Sequence, residues 1–246
     1  MSYICLNTVI TVFFYVLTSF CTGYNIHYTG HNGNHAKFHQ NLKHLFGRST
    51  RSSPGNICCA YGQWEANAYI IASTKLTSEN NTFIVYYNGT GKIAFDETNQ
   101  KSYISFNVTE FVPGSTKYDY KTSTDIKDFA TGTTYEINGD SCLKLANSAN
   151  MQIVCVPGNA TMMSKGLFDG VDVTTYQIKY STPPLEILTT PTVRQNGKDC
   201  ETIMFSYAMF VDDPAVSPLL VYDVDVVDIT PGIKDPSIFV PPADCN

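Results

Sequence analysis

Apolar and polar residues alternate along much of the chain after Trp64, and short groups of turn residues separate the alternating runs. Runs with this period of two that are rich in β-branched and aromatic residues are typical of strands with one buried face. The clearest runs are AYIIAST (68–74), NTFIVYYNG (81–89), GKIAFDE (91–97), KSYISFNVTE (101–110), TTYEING (133–139), TTYQIKYST (174–182), ETIMFSYAMFV (201–211) and LLVYDVDVVDI (219–229). They predict one mostly β domain over residues 57–246, long enough to enclose a sizeable core.

Two local patterns refine this prediction. Asn88-Gly89 lies between two of the runs and is a strong signal for a hairpin turn. The stretch from Met151 to Gly170 lacks a clear run, so it is interpreted as either one short helix or a loop.

The N-terminal residues 1–23 have the pattern of a secretory signal peptide. An apolar run from Val9 to Phe20 precedes small residues at Cys21 and Gly23, which predicts cleavage near Gly23. The run is shorter than the roughly 20 residues that a membrane-spanning helix needs. We therefore expect a secreted protein without a transmembrane segment, with the lysosomal lumen as the alternative destination.

Residues 24–56 form a basic leader that contains all five histidines, namely His27, His31, His35, His39 and His44. Four of them are spaced by four, which would align them on one helical face and suit zinc or copper. Gly30 and Gly33 disfavour a helix, so a flexible polar leader is the preferred interpretation. Arg48-Ser49-Thr50-Arg51 also offers a basic cleavage site. The leader carries +4 up to Arg51, whereas the other 12 basic and 22 acidic residues give −10, which disfavours nucleic-acid binding.

Removal of the signal leaves six cysteines, at positions 58, 59, 142, 155, 200 and 245. In an oxidising compartment they are expected to form disulfides, for which 15 connectivities exist. Bridging adjacent residues strains the peptide between them, so Cys58 and Cys59 should reach separate partners. Four N-x-S/T sequons, at Asn80, Asn88, Asn107 and Asn159, predict a glycoprotein.

Catalytic patterns are lacking in the predicted β domain, which contains no histidine. Ser-His and Cys-His catalysis would need the leader to fold back, and no spacing singles out a carboxylate pair for glycoside hydrolysis. We therefore expect a binding protein rather than an enzyme, with no organic cofactor.

Two sets of residues are candidates for binding. Asp223 and Asp225 share one strand face, and with Asp228 they could bind calcium, although a solvated strand face is the preferred interpretation. The aromatic and aliphatic residues either fill a core or line a pocket for an apolar ligand. The candidates for the pocket are Ile84, Tyr86, Phe106, Phe205 and Tyr207.

The C-terminal sequence GIKDPSIFVPPADCN closely resembles the signature of ependymin-related proteins, in which Gly-Ile-Lys-Asp-Pro precedes Phe, a Pro-Pro pair and a cysteine. CCAYGQWEAN resembles the family's opening, with Cys58 six residues before Trp64-Glu65. Lys198-Asp199-Cys200 and the spacing from Cys142 to the sequon at Asn159 fit as well. The resemblance covers about residues 58–246.

This resemblance implies disulfides between Cys58 and Cys200 and between Cys142 and Cys245, which leaves Cys59 for Cys155. Cys245 would then fasten the Pro-rich tail as an extended strap across the β domain. The implied fold has two curved antiparallel sheets around a deep apolar pocket, a half-open barrel that resembles bacterial lipoprotein carriers.

We therefore expect a secreted glycoprotein, not an enzyme, that binds an apolar ligand such as a ganglioside or fatty acid in a pocket between its sheets. The resemblance also implies a homodimer and calcium dependence. The alternative function is a calcium-dependent extracellular adhesion or matrix glycoprotein.

Overall fold

Thirteen β-strands account for most of the structure, a computed structural model that describes residues 55–78, 81–116, 118–147, 150–151, 154–182, 185–197, 199–211, 220–243 and 245. The strands are β1 (Asn56–Cys59), β2 (Gln63–Ser78), β3 (Asn81–Asp96), β4 (Lys101–Phe111), β5 (Tyr118–Asp128), β6 (Thr133–Asn138), β7 (Ser141–Ala146), β8 (Cys155–Pro157), β9 (Thr161–Phe168), β10 (Val171–Thr182), β11 (Leu185–Asn196), β12 (Asp199–Val211) and β13 (Leu220–Pro231). Within the described ranges the one helical element is a 3-10 helix at Pro236–Phe239. The predicted signal peptide and almost all of the predicted leader lie outside the described residues.

Hydrogen bonds join the strands into one open antiparallel path. Its order is β7-β6-β5-β4-β3-β2-β13-β12-β11-β10-β9, and β1 and β8 pair beside it. The path consists of two meanders, β2–β7 and β9–β13, which meet where β2 pairs with β13. The predicted mostly antiparallel β fold is confirmed, and the two sheets that we expected are two halves of one continuous sheet.

The core lies on one face of this sheet, which we call the inner face. Its buried residues come from β2, β3, β4, β11, β12 and β13. In β13 the alternation is regular: Tyr222, Val224 and Val226 are buried, whereas Asp223 and Asp225 are exposed. A sheet buries a face by packing it against another layer, and no helical layer exists in the described residues. Buried residues from both meanders belong to one hydrophobic cluster on this face.

Two local expectations are wrong. Asn88-Gly89 lies inside the uninterrupted strand β3 and not in a hairpin turn. Gly89 is needed there for close packing, because an added Cβ would lie 2.8 Å from Val108 Cγ1 on β4. The stretch from Met151 to Gly170 holds strands β8 and β9 rather than a helix or a loop.

Three disulfides are present: the two pairs that the resemblance implies and the third pair that was left by elimination. Cys58 pairs with Cys200, Cys59 with Cys155 and Cys142 with Cys245, at Cα separations of 5.6, 3.9 and 5.2 Å. The first two join β1 to β12 and β8, and the third fixes the tail to β7. The disulfide-stapled part of the predicted fold is therefore present.

The C-terminal tail runs from β13 past β2 and β4 to β7. The backbone N–H of Gly232 donates to Gln63 O at 2.8 Å, and those of Lys234 and Asp235 donate to Glu65 Oε1. The 3-10 helix then lies against β4, and its Phe239 is buried. The tail crosses the sheet as expected, but it is not wholly extended. Asp235 caps the helix by accepting from Ser237 N at 2.9 Å, and the fixed φ of Pro236 favours a helical first turn.

Candidate functional site: the inner face of the sheet

Aromatic side chains and very small residues face each other on the inner face. Tyr207 and Tyr222 stack with ring centroids 4.8 Å apart, and Phe205 meets Tyr222 edge to face at 5.9 Å. On β2 the inward positions are mostly alanine, and on β3 they include two glycines. Phe106 of β4 is fully buried beside Gly91, where an added Cβ would overlap Phe106 Cδ1 and lie 2.7 Å from Phe106 Cε1. The small residues therefore make room for the rings.

Strand β5 places charged and hydroxyl side chains on the same inner face. Asp125 lies directly opposite Ile104, Ser123 opposite Phe106, and Lys121 opposite Val108. Directly opposed residues in an antiparallel pair share a face, so these polar groups continue the apolar surface of β4. We call six of the inward polar residues of β4, β5 and β6 the polar belt; they are Glu110, Lys121, Ser123, Asp125, Lys127 and Thr134.

Five of the six polar-belt residues are buried and Lys121 is partly buried, although four of the six are ionisable. Lys127 is 1% exposed, Asp125 5% and Glu110 4%. Lys121 Nζ lies 2.5 Å from Glu110 Oε2, a short charge-assisted contact, and Lys127 Nζ forms an ion pair with Asp125 Oδ2 at 3.7 Å. Burial of charges costs free energy even when the charges are paired, so two ion pairs at the margin of an apolar face are a notable feature of this surface.

Burial changes the protonation chemistry of this region. Desolvation raises the pKa of Asp125 above its ordinary value, and the ammonium group of Lys127 only partly opposes the rise. Desolvation likewise raises the pKa of Tyr87, and the carboxylate of Glu110 raises it further. Tyr87 therefore remains a neutral phenol in this surface.

The five predicted pocket residues do not lie together. Phe106, Phe205 and Tyr207 belong to the inner face, where they are buried or partly buried. Ile84 and Tyr86 are each 43% exposed and lie on the opposite, outer face of β3. The register explains the error, because Val85 and Tyr87 are the inward residues of this strand.

The structure does not bring the three predicted calcium ligands together as one group. Asp223 and Asp225 are exposed on the outer face of β13, as their spacing predicts. Asp228 lies at a bulge with a φ of 55°, and its Oδ2 accepts from Asn67 Nδ2 at 3.0 Å. Within the part of the chain that the structure describes, no group of three or more His, Cys, Asp and Glu side chains is placed to hold a metal ion. The histidines of the leader lie outside the described residues.

The predicted glycosylation sites Asn88, Asn107 and Asn159 are exposed. Asn80 lies outside the described residues. No described helix has the length and apolar character needed to cross a membrane.

Sequence reasoning missed the polar belt. In YDYKTSTDIKD (118–128), Lys121, Ser123 and Asp125 alternate with Thr122 and Thr124, so neither face of the run is clearly apolar. The signal that could have revealed the strand is the apolar face of β4, because Ile104, Phe106 and Val108 need a neighbouring strand on that side. Nothing in the local pattern shows that the charged face would be the buried one.

The comparisons with known proteins add little. No protein-family model matches the chain, and no curated protein is similar to it. Among solved structures, the chain is similar to a DUF1329 family protein from Desulfovibrio piger ATCC 29098, with 10% sequence identity over 73% of this chain and 91% of that chain and a TM-score of 0.17. At this TM-score the similarity carries no argument about fold or function.

Proposed function

We propose that this chain is a secreted glycoprotein that binds an amphipathic lipid on the inner face of its sheet, and that it acts by binding rather than by catalysis. The observation that carries the proposal is the juxtaposition of an aromatic, apolar surface with the buried polar belt of β5. A lipid has the same two parts, an acyl chain and a polar head.

The placement of charges supports this ligand class over a purely apolar one. A protein that only fills its core has no need of Lys127 and Asp125 at an inward position of β5, where desolvation opposes both charges. A polar headgroup would lie beside this ion pair, while the acyl chain lies along the aromatic residues. The resemblance of the tail and the opening cysteines to ependymin-related proteins favours the same ligand class and a homodimer.

The test is native mass spectrometry of the full chain secreted from animal cells, followed by solvent extraction of lipid from the same sample. We expect a near-stoichiometric lipid in the wild-type protein. The K127M variant should lose the lipid or exchange it for one with a smaller head, because the ammonium group is removed while the length of the side chain is kept.

Lys144→Met is the matched control, because Lys144 is exposed on β7 and lies outside the polar belt. Thermal unfolding of both variants checks that they fold. The carrier function is refuted if the protein is repeatedly recovered without bound lipid and also does not bind fluorescent fatty-acid probes.

The second candidate is a calcium-dependent adhesion or matrix glycoprotein. Its support is the exposed pair Asp223 and Asp225, which lie two residues apart on one outer face. Addition of calcium should then raise the melting temperature or drive self-association, and alanine at both positions should abolish the response. A protein that does not respond to calcium excludes this candidate, and the same mass spectra report whether the protein is a dimer.

A further inference from the structure

Two of the glycosylation sequons face each other across neighbouring strands. Asn88 of β3 lies opposite Thr109 of β4, and Thr90 of β3 lies opposite Asn107 of β4. Each acceptor asparagine thus lies beside the hydroxyl residue of the other sequon. Residues two apart on a strand share a face, so all four belong to one group on the outer face.

Large apolar side chains surround the Asn88 end of this group. Ile71 of β2 is directly opposite Asn88, and Tyr86 lies two residues before it on the same face. Tyr120 of β5 lies opposite Thr109. Their exposed fractions are 64% for Ile71, 43% for Tyr86 and 82% for Tyr120.

The apolar surface continues along the next row of the sheet. Phe111 lies opposite Tyr86 and Tyr118 lies opposite Phe111, and the rings of Phe111 and Tyr118 stack at 5.5 Å. We call these five side chains the outer aromatic patch; they are Ile71, Tyr86, Phe111, Tyr118 and Tyr120. A contiguous exposed apolar surface of this kind marks a place where something else packs.

The surroundings of Asn107 are different. Its neighbours across the strands are Thr90 and Thr122, and the Thr122 hydroxyl donates to Asn107 Oδ1 at 2.7 Å. The hydroxyl residues of both sequons lie opposite tyrosines, Thr109 opposite Tyr120 and Thr90 opposite Tyr69. The contrast is between the two acceptor asparagines: Asn88 lies directly opposite the apolar Ile71, whereas the direct neighbours of Asn107 are both threonines. This contrast provides an internal control within one face of the sheet.

We propose that an N-glycan on Asn88 is the cover of the outer aromatic patch, with its first N-acetylglucosamine lying against Tyr86 and Ile71. The C–H face of a sugar ring is apolar and matches the electron-rich face of an aromatic ring. The glycan is thus an intramolecular packing element as well as a modification. This inference rests on the proposed secretion of the chain, because N-glycans are added in the secretory pathway.

The modification is an ordinary group transfer. The Asn88 amide nitrogen forms a bond to the anomeric carbon of a lipid-pyrophosphate-linked oligosaccharide. The bond from that carbon to the phosphate oxygen breaks, the lipid pyrophosphate leaves, and the nitrogen loses one proton.

The experiment compares N88Q and N107Q in the full chain secreted from animal cells. Glycopeptide mapping measures the occupancy of each site, and the fluorescence of a hydrophobic dye and light scattering measure exposed apolar surface and self-association. We expect N88Q to bind more dye and to form larger species, and N107Q to behave like the wild type. The double variant I71S/N88Q should lose part of the excess dye binding, because one apolar member of the patch is gone.

A second measurement isolates the first sugar. Enzymatic trimming that leaves one N-acetylglucosamine on each asparagine should keep the wild-type dye signal low, and complete removal of the glycans should raise it. If Asn88 is bare while Asn107 and Asn159 carry glycans, or if N88Q and N107Q are indistinguishable, the inference is wrong. A stable dimer in which a second copy covers the patch and Asn88 is unmodified would also overturn it.

The same samples separate this inference from the proposed function. Protein that lacks lipid but carries a protective glycan at Asn88 contradicts only the carrier function. Protein loaded with lipid but bare at Asn88 contradicts only the inference about the glycan. Absence of glycans at every site would contradict the secretion on which both depend.

Discussion

Substitution of Gly91 by alanine tests how tightly β3 and β4 pack on the inner face. Gly91 lies opposite Phe106, and no positive φ demands a glycine there. The reason for the glycine is space, because an added Cβ would overlap the carbonyl oxygen of Ser105 and lie 2.7 Å from Phe106 Cε1. The first of these atoms belongs to the backbone, so rotation of a side chain cannot relieve the overlap.

The expected magnitude follows from this geometry. Overpacking of a well-packed core typically costs about 1–3 kcal/mol, and the backbone contact places G91A toward the upper end. Alanine also lowers the conformational entropy of the unfolded chain, which stabilises the folded state by about 0.4–1 kcal/mol and offsets part of this cost. We therefore expect a net loss of roughly 2 kcal/mol in the free energy of unfolding, which lowers the melting temperature by about 4–8 °C for a domain of this size.

The assay is urea unfolding followed by tyrosine fluorescence, with a thermal scan as a second readout. Gly166→Ala is the matched control, because Gly166 lies on the exposed edge strand β9 and its Cβ would meet nothing within 4 Å. The control should be neutral or slightly stabilising. If G91A is as stable as G166A, the close packing of β3 against β4 is not a property of the folded protein, and the argument for small residues on the inner face fails.

The remaining predictions concern the tail. Cys245→Ser removes a disulfide with a sequence separation of 103 residues, and such a disulfide contributes about 4–5 kcal/mol to stability in the chain-entropy model. Calorimetry should record a lower melting temperature. Cys142→Ser removes the same disulfide and should lower the melting temperature by the same amount. Burial opposes ionisation of Glu65, but Lys92 Nζ at 2.9 Å and the N–H groups of Lys234 and Asp235 outweigh it and lower its pKa below the ordinary 4.5. This contribution to stability is complete above about pH 4.5 and is lost as the pH falls through the lowered pKa, so the stability gap between wild type and E65Q should narrow only in acid. A gap that stays constant from pH 7 to pH 3 would contradict this assignment.

Several elements of the fold follow from local pattern alone. The runs that become β4, β10, β12 and β13 alternate clearly, because one of their faces packs in the core. The run YDVDVVD alternates in the same way, with Val224 and Val226 facing inward and Asp223 and Asp225 facing outward. Two of the three cysteine pairs were predicted from the family resemblance and the third by elimination, since spacing alone allows 15 arrangements.

Other features could not be predicted from the local pattern, because they depend on residues of a neighbouring strand. Asn88-Gly89 has the composition of a turn, yet Gly89 is required by the approach of Val108 from β4. Ile84 and Tyr86 were assigned to the pocket because they are apolar, but the register of β3 turns Val85 and Tyr87 inward instead. A shift of one residue moves every side chain to the other face, and a composition argument contains no information about this shift.

The sequence by itself determined that this chain forms strands with two chemically distinct faces, because alternation is a local property of each run. Only the tertiary structure decided which charged residues are buried. Lys127 and Asp125 look like a solvated face until β5 pairs with the apolar face of β4 and carries them inward. The reciprocal placement of the Asn88 and Asn107 sequons likewise depends on the pairing of β3 with β4. Pairing brings together residues that are about twenty positions apart, so no local window can contain it.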